Sequence, residues 1–175
     1  MNDFCNVKKV CGFYISNMHL ATMILPYTNK QLEEGIEFAT LLEYNLKQNI
    51  ELILSRLTLK EEAKKEIMKI NWENNNYKYS NVEKFLKNKL KNNKEITILI
   101  SGTENYINAV NDNIEMFINK NIKKFEGKYI KIINCYEVGE FNNNIKEILD
   151  LHDAIINTSG EHKIEEIFEG YSKNA

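Results

Sequence analysis

Proline and cysteine are nearly missing from this sequence, which has one proline, Pro26, and three cysteines in 175 residues. An excess of charge is missing too, with a net charge of −2. Each scarcity excludes something. A general nucleic-acid binder carries a clear basic excess, whereas here Lys is interspersed with Glu and Asn and forms no basic stripe. Nucleic acid is therefore not an expected partner. No stretch approaches the roughly 20 apolar residues of a membrane span. The opening MNDFCNVKK lacks the apolar core of a secretory leader. The expectation is a soluble, cytoplasmic chain with no membrane partner. Cys5, Cys11 and Cys135 are odd in number and far from CxxC spacing, which predicts reduced thiols. Cys11 and Cys135 lie in apolar runs, where a thiol acts as a small hydrophobe, and no positive group flanks either one.

Phosphate-binding signatures are also missing. The stretch LISGTENYINAV (99–110) resembles the strand, small-residue turn and helix that open a nucleotide site. A P-loop needs two glycines and a Lys, because backbone N–H groups cradle the phosphates while the Lys neutralises them. Here Gly102 stands alone, no Lys follows, and Glu104 puts negative charge where phosphate would sit. No GxGxxG occurs elsewhere, so ATP hydrolysis is not expected. Two readings of Ser101, Gly102, Thr103 and Glu104 stay open. The free N–H groups of the helix start hold a carboxylate or small anion, or Ser101 and Thr103 cap the helix. His19, His152 and His162 are not at metal-ligand spacing, and no metal site or specific cofactor is indicated. No catalytic Ser/His/Asp or Cys/His set can be argued from spacing.

What is present is an alternation of β-rich and helical runs. Expected strands are 10–16, 36–43, 66–72, 95–101, 128–138 and 154–159. Expected helices follow Asn17 as a cap, then span 45–57, 58–65 with Thr58 and Glu61 as a capping box, 80–92 capped by Ser80, 103–122, 142–152 and 164–171. Pro26 is expected to kink the first helix or divide it in two, and Gly35 suits its end. The loop at Asn74 to Asn76 is the expected flexible point. The whole reads as one α/β domain over 1–175 with flexible ends at 1–9 and 172–175. Its architecture is a three-layer sandwich, a mainly parallel central sheet with helices on both faces.

In such a sheet ligands bind beyond the C-terminal strand ends. That rule selects Ser16, Asn17 and His19; Glu43 and Tyr44; Asn71 and Trp72; Ser101 to Glu104; Tyr136 and Glu137; Ser159 and Gly160. The ligand-binding candidates are Asn17, His19, Ser101, Gly102, Thr103, Glu104 and Tyr136. Glu33, Glu34, Glu61 and Glu62 read as exposed helix charges. His152 reads as a packed helix-end residue, where a protonated ring would suit the dipole, and His162 as solvated. Trp72 reads either as half-buried core or as a stacking platform.

Three segments together resemble a known family. YISNMHLATMILPYTNKQLEEG is similar to the start of MEDS domains. LISGTENYINAVNDNIEMFI resembles their strand, small-residue turn and acidic helix. IINCYEVGEFNNNIKEILDLHDAIINTSG resembles their closing C-x-Y, helix and L-x-x-H-P stretch, through Cys135, Tyr136, Leu149 and His152, although Asp153 stands where that family often has Pro. MEDS domains are sensory domains of methanogens and methylotrophs, also found in a dichloromethane-responsive repressor. The resemblance implies a RecA-like (Rossmann-like) sandwich without a nucleotide loop, and a role in sensing a small molecule. The function expected first is a stand-alone sensory or regulatory domain, acting alone, as a homodimer, or through a signalling partner. A protein-interaction module is the second reading, with its apolar patch at Ile164, Ile167, Phe168 and Tyr171 or with that face docked on the chain's own sheet. A small enzyme using His19 or Glu104 as acid or base is the third.

Overall fold

The structure is a computed structural model that describes residues 5–74, 79–139 and 144–173. The described elements run β1 (Asn6–Tyr14), α1 (Asn17–Glu33), β2 (Glu37–Leu42), α2 (Lys47–Arg56), α3 (Glu61–Lys69), α4 (Tyr79–Asn92), β3 (Glu95–Gly102), α5 (Glu104–Lys120), a 3-10 turn (Ile122–Lys124), β4 (Tyr129–Glu137), α6 (Ile145–Asp150), β5 (Ala154–Asn157), β6 (Gly160–His162) and α7 (Ile164–Ile167). The strands form one sheet in the order β2-β3-β4-β1-β5-β6. All neighbours are parallel except the β5–β6 hairpin. The sandwich is thus α/β, three-layered and Rossmann-like.

The inner strands are apolar on both faces, as parallel strands under two helix layers must be. In β3, Ile96, Ile98, Leu99 and Ile100 are all fully buried. One face packs α1, α2 and α3 against Val10, Leu42, Leu99 and Ile133. The other packs α4, α5, α6 and Ile164 of α7 against Cys11, Ile98, Ile132 and Ile155. The connection out of β1 leads through α1 to the edge strand β2, while that out of β4 leads through α6 to β5 on the opposite face. The strand pair β1–β4 is therefore the topological switch point of the sheet.

Several local expectations are corrected. Residues 66–72 are not a strand: Glu61–Lys69 is helix α3. Its buried and half-buried residues Ala63, Lys64, Ile67 and Met68 fall at i, i+4 spacing, which is a helix period rather than an alternation. Glu61 pairs with Lys64, and the exposed Glu66 with Lys69. Lys60, not Thr58, is at its N-cap, and no side chain caps it. The cap of α1 is Ser16, whose Oγ accepts from His19 N–H at 3.1 Å, and Asn17 is the first helical residue. Pro26 does not divide α1, which is continuous from Asn17 to Glu33. β1 begins at Asn6, so residues 6–9 lie in the sheet. The expected strand 154–159 ends at Asn157 and turns back as β6. The expected cap at Ser80 and the expected mobility at residues 75–76 lie outside the described side chains and residues.

Candidate functional site

The register brings the predicted residues to one edge. β4 lies between β1 and β3, and Phe13, Tyr136 and Gly102 stand side by side across the three strands. Ser16, Asn17 and His19 follow β1, and Ser101 to Glu104 end β3 and begin α5. All seven candidates therefore cluster at the C-terminal edge, around the switch point. Their exposure differs. Asn17, His19 and Thr103 are half-buried, whereas Ser101, Gly102, Glu104 and Tyr136 are buried. Tyr136 stacks on Phe13 with centroids 6.0 Å apart and meets the His152 ring edge-on at 6.0 Å. Burial, reinforced by the neighbouring Cys11, Glu104 and Cys135, pushes its phenol well above the usual range.

The starts of α1 and α5 at this edge are capped by the chain's own side chains. Thr103 caps α5, its Oγ1 accepting from Tyr106 N–H at 3.3 Å. Thr103 N–H in turn donates to Glu43 Oε2 at 2.6 Å. A carboxylate thus sits where the helix dipole and free N–H groups favour an anion. Gly102 makes room for it. Its φ is +152°, and a Cβ there would come within 2.6 Å of Glu43 Cβ. At α1, Ser16 takes His19 N–H, and His19 Nδ1 accepts from Ile15 N–H at 3.3 Å. The sequence rule had selected Glu43 as a strand end, but no motif linked it to a helix lying beyond a different strand. Around these turns, Ile15 is 74% exposed and Val138 45% exposed, and Met18 and Tyr44 are also exposed.

The other singled-out residues have structural partners. Trp72 is buried and donates Nε1–H to Ile67 O at 2.9 Å, which makes it core. His152 is buried, with Nδ1 2.6 Å from Ile148 O and Nε2 3.0 Å from Asn134 Nδ2. Burial, against the Ile148 hydrogen bond, pushes its pKa down to about 4, so the ring is neutral rather than protonated. His162 is not simply solvated, because Nε2 lies 2.7 Å from Ser159 Oγ and Nδ1 lies 3.8 Å from Glu166 Oε2. That set is no nucleophile. Ser159 Oγ and Ser159 N–H both bond to Asn157 Oδ1, so the hydroxyl proton and the amide donor are used within the turn. Ile164 is buried, and Phe168 and Tyr171 pack on the core, so the last helix docks on the chain's own sheet. Cys11 and Cys135 are buried free thiols, and burial raises both, Cys11 to about 12.

A second polar group was not legible in the sequence. On the α1 face, toward the N-terminal end of β4, Lys131 Nζ donates to Tyr27 Oη at 2.7 Å and to Glu161 Oε2 at 2.9 Å. Tyr27 Oη–H donates to Glu161 Oε2 at 3.1 Å, and Lys8 pairs with Glu161 Oε1. Burial opposes the Lys131 charge, but the bonds to Tyr27 and Glu161 outweigh it and hold the ammonium above the ordinary lysine value. Glu161 is likewise held below the usual range by Lys8 and Lys131 despite its burial. This group forms the wall of a cavity of about 430 Å³ between α1 and the β5–β6 turn.

Among the described residues, no three His, Cys, Asp or Glu side chains gather as a metal cluster, and no helix is long and apolar enough to cross a membrane. No protein-family model matches the chain, and no curated protein matches it.

Proposed function

We propose that the chain is a cytoplasmic sensory or regulatory domain of the MEDS kind, binding a small molecule at the C-terminal edge of its sheet without hydrolysing nucleotides. One observation carries this reading. At the starts of α1 and α5 on that edge, the N–H groups of His19, Thr103 and Tyr106 are taken by the chain's own Ser16, Glu43 and Thr103 side chains. Nucleotide phosphates are held by such groups when they are free. With these donors occupied, recognition falls to side chains at the β1–β4 switch point, where open α/β sheets place ligands. Asn17 and His19 stand there beside the exposed Ile15. The same exposed apolar side chains favour a second reading, in which the edge receives a signalling protein or a second copy of the chain.

A thermal-shift panel of nucleotides with magnesium, flavins, haem, corrinoids and small organic molecules separates these readings. A ligand at 100 times its Kd adds about 2.7 kcal/mol to the native state. The expected result is a Tm rise with one non-nucleotide class, weakened in Asn17→Ala and His19→Ala, together with no phosphate release from ATP. Glu43→Ala is expected to cost about 1–2 kcal/mol, the scale of a lost helix cap. A rise with ATP alone, or ATP turnover by the wild type, overturns the proposal. Silence across the panel, with binding to a protein lost in Ile15→Ser, moves the assignment to the interaction module.

A further inference from the structure

The cavity between α1 and the β5–β6 turn is lined by none of the seven candidates at the C-terminal edge and has the chemistry of an anion site. Its polar wall is the Lys131–Tyr27–Glu161 group, with Lys8 behind. The Glu161 carboxylate already accepts three bonds: Lys8 takes Oε1, while Lys131 and Tyr27 take Oε2. Two lysines against one carboxylate leave one positive charge in excess. At the rim Lys30 and Glu34 lie 4.0 Å apart and cancel. Lys131 directs two of its three N–H donors to Tyr27 and Glu161 and has no third partner among the described residues. Its side chain is only 13% exposed, so a charge brought to it is poorly screened. The remaining wall is apolar or neutral, through Met23, Pro26 and the turn at Thr158–Gly160. A volume of about 430 Å³ lies within the range of small-molecule sites.

We infer that this cavity binds a small organic monoanion, a carboxylate that accepts the third Lys131 N–H while its apolar body lies against Met23 and Pro26. One excess positive charge matches a carboxylate better than a phosphate dianion. This site goes beyond the proposed function and is independent of it.

The test is amide chemical-shift mapping on the full chain, with benzoate, the uncharged benzamide and inorganic phosphate as probes. Benzoate is expected to shift the amides of residues 27–31, 131 and 158–161 saturably, with benzamide at least tenfold weaker. Lys131→Gln is expected to weaken benzoate at least tenfold. Ser159→Trp, at an exposed turn position, is expected to do the same by filling the cavity with the lysine group intact, which keeps the test decisive should Lys131→Gln unfold. Equal binding of benzoate and benzamide overturns the inference, as does tighter binding of phosphate. Shifts confined to Asn17 and His19 overturn it while leaving the proposed function standing. Saturable shifts at the cavity with a silent C-terminal edge support the inference and leave the proposed function to its own thermal-shift test.

Discussion

Beneath the sheet, on the α5 face, a short chain of buried amides sets the state of one histidine. Asn111 Nδ2 donates to Ile107 O at 2.8 Å and to Asn134 Oδ1 at 2.9 Å. That orientation turns Asn134 Nδ2 toward His152 Nε2, which must accept. Nδ1 then carries the proton and donates to Ile148 O. A protonated ring would lose the Asn134 bond and bury a charge. Lys9, Asp153 and Lys173 surround this site as well, the lysines opposing protonation and Asp153 favouring it. Folding therefore favours the neutral form, with a pKa near 4 against about 6.5 when unfolded. The unfolded chain binds the extra proton between those values, so this stabilisation is intact above pH 6.5 and is lost as the pH falls toward 4. The loss is expected to reach about 3 kcal/mol. Urea midpoints from pH 7 to 4 are expected to fall more steeply in the wild type than in His152→Gln. Parallel slopes would refute the neutral assignment.

Among the elements, α1 shows why a rule about proline needs the surface to complete it. Pro26 has no N–H to give to the carbonyl four residues earlier, that of Thr22. Both residues are exposed, so the freed carbonyl meets water. Their neighbours Met23, Ile24, Leu25, Tyr27 and Thr28 are buried and keep the helix continuous through the position. Packing offsets the local cost but does not remove it. Pro26→Ala is therefore expected to raise stability by about 1–3 kcal/mol, read as a higher urea midpoint with an unchanged slope. A fall in the midpoint would mean that Pro26 stabilises α1 through the cavity wall it lines. In α3 the opposite lesson holds. A short apolar run, IMKINW, fits either a strand or a buried helix segment, and the preceding charged helix formers decide it by continuing the turn.

For the whole molecule, two hydrophobic cores share one sheet. Every inner strand contributes side chains to both, as Val10 and Cys11 do from β1. Neither core can be lost without removing the floor of the other, so unfolding is expected to be a single transition. Trp72, the only tryptophan, belongs to the α1 face, whereas Leu86 of α4 is buried on the opposite one. Leu86→Ala is expected to cost about 2–5 kcal/mol. The Trp72 fluorescence midpoint should drop together with the circular-dichroism midpoint. A fluorescence transition left unmoved would show that the two faces unfold separately.

The alternation of apolar strands with amphipathic helices, the parallel sheet and the missing phosphate loop were legible in the chain itself, because each depends on residues near one another in sequence. The strand-end rule also placed Asn17, His19, Thr103 and Tyr136 at one edge of the sheet, where the register sets them. What fills that edge was decided only in three dimensions. Glu43 reaches Thr103 across 60 positions because β2 pairs with β3, and Lys131 finds Tyr27 across 104 because β4 and α1 share one face of the sheet. Strand order and register set these meetings, and no local periodicity encodes either.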